Sequence, residues 1–147
     1  MRTLIVLALV LWTVGAEAAP VGPLSVYLVD SCRFVDTRES SLGPLDGYRF
    51  FRVEGACAVP EGAGGVILNI TVAGGTVAGH LSIFDPLASV PSTSTLNFSA
   101  GQTIANMAIV RLTPTGQGPE GAADLVVLAR VPGGSVHVIL DVVGYLK

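Results

Sequence analysis

Asp36 and Arg38 stand two residues apart in the run Phe34-Val35-Asp36-Thr37-Arg38, so on an extended backbone both side chains leave the same face. A carboxylate beside a guanidinium offers acceptors and a rigid fork of donors, which are the makings of a ligand site. Asn69, Asn97, Asn106 and Asp141 are the polar residues on other predicted strands that could complete such a site. The same set could instead form a closed hydrogen-bond network that fixes strand register. Buried polar groups are nearly always satisfied within a fold, so the structural role carries more weight.

Other chemistries find less to work with. A serine nucleophile needs a base and an exposed, strained setting, and the chain has neither a G-x-S-x-G turn nor a serine beside His80 or His137. Those two histidines lie on separate predicted strands without the paired spacing of a zinc site. Asp30, Asp36, Asp46, Asp85, Asp124 and Asp141 do not fall into the dense D-x-D-x-D-G pattern of a calcium loop. The sequence therefore leads us to expect no enzyme, no metal and no cofactor. Tyr48, Phe50 and Phe51 form the one aromatic cluster, and their spacing sends Phe51 to one face of a strand and Tyr48 with Phe50 to the other. Exposed rings there would suit a sugar, although Trp12, the only tryptophan, falls in a leader segment.

The leader opens Met1-Arg2, runs apolar from Leu4 to Ala16 and ends on the small residues around Ala18. This is the pattern of a signal peptide over 1–18, shorter than the roughly 20 residues that a membrane-spanning helix needs. It predicts an exported protein, secreted or at the cell surface, without a permanent membrane anchor. Loss of Arg2 and Glu17 with the leader removes one charge of each sign, so the net charge of −3 persists. A mildly acidic chain without Lys/Arg clusters lacks the electrostatic footprint of a nucleic-acid binder. In an oxidising compartment an even count of two cysteines, with no histidine near either, predicts a Cys32–Cys57 disulfide.

These residues need elements to position them. No window has helical apolar spacing; apolar residues alternate in short runs broken by Gly, Pro, Asn, Asp and Ser. The pattern predicts nine strands, over 25–29, 33–37, 48–53, 65–72, 79–84, 94–98, 104–112, 124–129 and 135–146. It points to an all-β protein, one antiparallel β-sandwich domain of jelly-roll or Ig-like type over 19–147. Leu68, Ile70 and Val72 are expected to face the core, as are Leu96 and Phe98. The final run, apolar on both faces apart from His137 and Asp141, is expected to be a central strand. The Gly- and Pro-rich loop 113–121 is the longest and least apolar.

Six short segments in order carry a family resemblance: Ser31-Cys32-Arg33-Phe34-Val35-Asp36-Thr37-Arg38, Ala56-Cys57-Ala58-Val59-Pro60, Leu68-Asn69-Ile70-Thr71-Val72, Ser94-Thr95-Leu96-Asn97-Phe98, Ala100-Gly101-Gln102-Thr103-Ile104-Ala105-Asn106 and Asp141-Val142-Val143-Gly144-Tyr145. Together they resemble the V-D-T-R module of secreted bacterial proteins, over about residues 25 to 146. The resemblance implies an extracellular β-sandwich-like domain and brings no established activity.

Function is thus expected to be binding: an extracellular, non-catalytic structural or interaction module whose partner is another protein or its own copies. An exposed sheet edge could add a neighbour's strand, and the apolar segment 19–24 is one candidate donor. The alternative is a carbohydrate-binding module for envelope or external polysaccharide.

Overall fold

In the computed structural model the described residues are 22–114, 117 and 123–147. The leader, its cleavage point and most of the 113–121 loop lie outside them. Eight strands follow one another with no helix among the described residues: β1 (Val26–Asp36), β2 (Tyr48–Phe51), β3 (Gly65–Ala73), β4 (Gly79–Phe84), β5 (Leu96–Phe98), β6 (Ile104–Arg111), β7 (Leu125–Arg130) and β8 (His137–Leu146). They make two four-stranded antiparallel sheets, ordered β1-β8-β3-β6 and β2-β7-β4-β5.

The pairing is nested. β4 pairs with β5, β3 with β6, β2 with β7 and β1 with β8, so the chain is one long hairpin rolled into two sheets. The further pairings β3–β8 and β4–β7 close each sheet. This is the jelly-roll order, and it decides between the two sandwich types that the sequence left open.

Eight strands replace the expected nine because 25–29 and 33–37 are one strand. Leu28 pairs with Gly144 and Cys32 with Val142, so three residues of β1 stand where β8 has one. Asp30 and Ser31, which read as turn chemistry in the sequence, are the excess residues of this irregularity. A second register shift falls between Arg33 and Val35. Elsewhere strand ends move by a few residues for visible reasons. Val53 leaves the β2 ladder because its N–H goes to the Asp124 carboxylate, and Val136 makes only an isolated bridge to Leu45.

The core lies between the sheets. Leu68, Ile70 and Val72 from β3, Leu81 from β4, Leu125 and Val127 from β7, and Val138, Leu140 and Val142 from β8 are fully buried in it. Leu96 and Phe98 also point inward, as their alternation predicts. β8 is central, between β1 and β3, and its ladder with β1 carries the stacked pair Tyr27 and Tyr145, ring centroids 5.0 Å apart.

Candidate functional site

Val35-Asp36-Thr37-Arg38 closes β1 and turns back on itself. Val35 enters the core. Asp36 accepts from the Arg38 backbone N–H (3.0 Å) and from the Arg38 guanidinium through Nε (2.9 Å) and Nη2 (2.7 Å). Arg33 adds a further bond to Asp36 (2.8 Å) and a second to Asp141, its cross-strand partner on β8. Two guanidiniums thus make three ion pairs with two carboxylates. Hydrogen bonding from Arg38 is the main reason that the Asp36 carboxyl is held well below the usual carboxylate range, against the opposing effect of burial.

Thr37 is buried and bonds twice to β8. Its N–H donates to the Val138 carbonyl (3.1 Å), and its hydroxyl accepts from the Val138 N–H (2.9 Å). The same hydroxyl lies 3.1 Å from Nδ1 of His137, to which it can donate. Every residue of the tetrapeptide therefore has a partner in the fold, the Arg38 side chain at the surface and the other three buried.

The three expected asparagines divide between this site and other places. Asn69 stands next to Asp141 in the cross-sheet row Arg33–Asp141–Asn69–Met107. Asn106 lies on edge strand β6 and donates to the Thr95 carbonyl (2.8 Å), tying the two sheets at that edge. Asn97 is exposed on β5 and donates to the Ser94 hydroxyl (2.8 Å). Asp36, Arg38 and Asp141 come together with Asn69 beside Asp141 in the row, and Asn97 and Asn106 are elsewhere. Arg33, which the sequence did not single out, is the residue that joins them; a strand register was needed to see it opposite Asp141.

The disulfide joins Cys32 and Cys57, with Cα atoms 5.6 Å apart, and ties β1 to the 52–64 segment. That segment holds Cys57 and Ala58 at positive φ (50° and 61°), a region side-chain-bearing residues seldom occupy. Two buried carboxylates anchor it: Asp124, which the sequence raised only as a calcium ligand, and Glu54, which it did not single out. Asp124 accepts the Val53 N–H (2.8 Å) and the Glu54 N–H (2.8 Å), and Glu54 accepts the Gly62 N–H (2.9 Å). Burial pushes the Asp124 carboxyl up, while the Glu54 and Val53 N–H groups hold it back.

Two features face outward. Tyr48 and Phe50, 56% and 38% exposed, share the outer face of β2, whereas Phe51 turns inward and meets Phe34 edge-on at 6.1 Å. The second feature is strand β6. Its eight residues, Ile-Ala-Asn-Met-Ala-Ile-Val-Arg, pair with β3 in unbroken register, and no strand among the described residues pairs with its other side. Met107 (64%) and Ile109 (65%) are exposed on its outer face. The other three edges differ: β1 is bulged, β2 has four residues and β5 has three.

Among the described residues no helix is long and apolar enough to cross a membrane, and no three His, Cys, Asp or Glu gather as a metal site. Compared with family models, with curated proteins and with solved structures, the chain matches none.

Proposed function

We propose that this chain is an extracellular, non-catalytic interaction module of the V-D-T-R type that associates with its own copies through strand β6. Edge strands invite pairing with another chain, and natural sheets blunt them with bulges, short length, prolines or lysines. β1, β2 and β5 carry such protection, and β6 carries none: it is regular, has no proline or lysine, and bears one charge, Arg111, at its end. That contrast is the observation on which the reading rests. Two copies of β6 laid antiparallel would extend the sheet across a twofold axis, with Met107 and Ile109 meeting their equivalents. The disulfide and the leader expected over 1–18 support placing it outside the cytoplasm.

Sedimentation velocity over a hundredfold concentration range is expected to show a reversible dimer. Met107→Lys with Ile109→Lys is expected to give a monomer at every concentration. Because both side chains are exposed, the thermal midpoint of that monomer should change little, within about 0.5 kcal/mol of stability. A wild-type chain that stays monomeric throughout would end this reading.

A second reading, a carbohydrate-binding module, is favoured by the paired exposed rings of Tyr48 and Phe50. Strand geometry spaces them roughly 7 Å apart on one face, suitable for successive sugars.

A further inference from the structure

Six arginines lie among the described residues, and five are committed. Arg33 and Arg38 hold Asp36, Arg49 donates to the Gly43 and Pro44 carbonyls, Arg52 pairs with Glu61 and Arg111 with Asp85. The Arg130 side chain makes no ion pair and no hydrogen bond among the described residues. Arg130 is exposed at the end of β7, directly opposite His80 on β4, whose side chain also has no partner among them. Their neighbours Ala129 and Leu81 point into the core, so Arg130 and His80 share the outer face of the second sheet.

That face is not flat at this point. Arg130 and His80 line an open groove of about 1140 Å³, together with Asp46, Gly47 and the loops 76–79 and 131–135. The two loops are zipped by the Thr76 N–H to the Ser135 carbonyl (2.9 Å) and the Ser135 N–H to the Thr76 hydroxyl (2.9 Å), which makes a firm wall. Tyr48 follows Gly47 in sequence and pairs with Leu128, and both of those residues line the groove. The exposed Tyr48 and Phe50 rings therefore continue the same face from the groove's border.

We propose that this groove binds an acidic polysaccharide, with a uronate carboxylate on Arg130 and His80, sugar hydroxyls on Asp46, and neighbouring rings of the chain stacked on Tyr48 and Phe50. The proposal rests on the carbohydrate-binding reading and gives it a ligand class. A guanidinium is a bidentate partner for a carboxylate, and an open groove that runs into an aromatic strip fits an extended chain better than an enclosed small molecule. The net charge of −3 supplies no general attraction for a polyanion, so recognition must come from this local pair. Removal of Arg130 must then be felt.

The test is calorimetric titration of the full chain with oligogalacturonate, with neutral dextran oligosaccharide and with polyglutamate. Oligogalacturonate alone is expected to bind, with a loss of about tenfold or more in Arg130→Gln and again in Tyr48→Ala, both variants keeping the wild-type thermal midpoint. Binding that survives in Arg130→Gln but is lost in Tyr48→Ala would overturn the groove while leaving the carbohydrate reading intact. Equal binding of polyglutamate would overturn the saccharide and leave only a polyanion surface. No binding of either saccharide would remove both the groove and the reading beneath it.

Discussion

At the scale of single residues, two carboxylates among the described residues pull in opposite directions. Asp36 has its pKa lowered by the Arg38 hydrogen bonds, and Asp124 has its pKa raised by burial. For a carboxyl whose folded pKa lies below its unfolded value, the stabilisation is complete above the unfolded value and is lost as pH falls through the folded one. For Asp124 the sign reverses, and stability is lost as pH rises from the unfolded value toward the folded one. Asp36→Asn removes the first effect and leaves the second. Its urea midpoint is expected to lie well below that of the wild type near neutral pH, and the gap should narrow steadily as pH falls from about 5 to about 2. A gap independent of pH would mean that the Arg38–Asp36 clamp contributes through shape alone. The sequence made Asp36 and Arg38 visible as a pair, because a spacing of two needs no tertiary knowledge. It hid Arg33 and Glu54, since the partners of these residues are set by the register against β8 and by the path of the 52–64 segment.

At the scale of elements, the disulfide and the carboxylates perform the same task on a segment that has no strand of its own. The 52–64 segment connects β2 in one sheet to β3 in the other, and it is held by Cys57 to β1, by Asp124 at Val53 and Glu54, and by Glu54 at Gly62. A cross-link closing 25 residues stabilises by roughly 3 to 4 kcal/mol if it acts on the unfolded chain's entropy. Cys32→Ala with Cys57→Ala is expected to lose about that much in urea denaturation while keeping the far-ultraviolet signature of an all-β chain, because the carboxylate anchors remain. A loss well below 1 kcal/mol would mean that the anchors alone fix the segment. Alternation made most strands legible: the inward residues of β3, β5 and β8 follow directly from their period of two. It failed at Asp30 and Ser31, where an irregular strand has the composition of a turn. It failed again at the end of β2, where a side-chain acceptor on Asp124 replaces the ladder. Both failures occur where a distant partner, and not local propensity, decides which backbone groups are satisfied.

At the scale of the whole molecule, the nested pairing implies an order of assembly. β4 and β5 are neighbours in sequence, so their pairing closes the shortest loop, and each later pair, β3 with β6 and then β1 with β8, closes onto strands already joined. Closing β1 on β8 first would instead order the two ends of the described chain with nothing yet formed between them, at the largest entropic cost. The transition state should therefore hold β4 and its partners and not β8. Leu81 on β4 and Leu140 on β8 are both fully buried, and truncation of either to alanine is expected to cost about 2–5 kcal/mol, enough for a reliable kinetic comparison. Stopped-flow chevrons should show Leu81→Ala mainly slowing folding, with a φ of roughly 0.5 or more, and Leu140→Ala mainly speeding unfolding, with a φ of roughly 0.3 or less. The reverse ranking would mean that the ends meet early and that the core β8 shares with β1 and β3 is the nucleus. In that case the clamp at Asp36 and Arg38, which lies at the β1–β8 seam, would act in reaching the fold as well as in holding it.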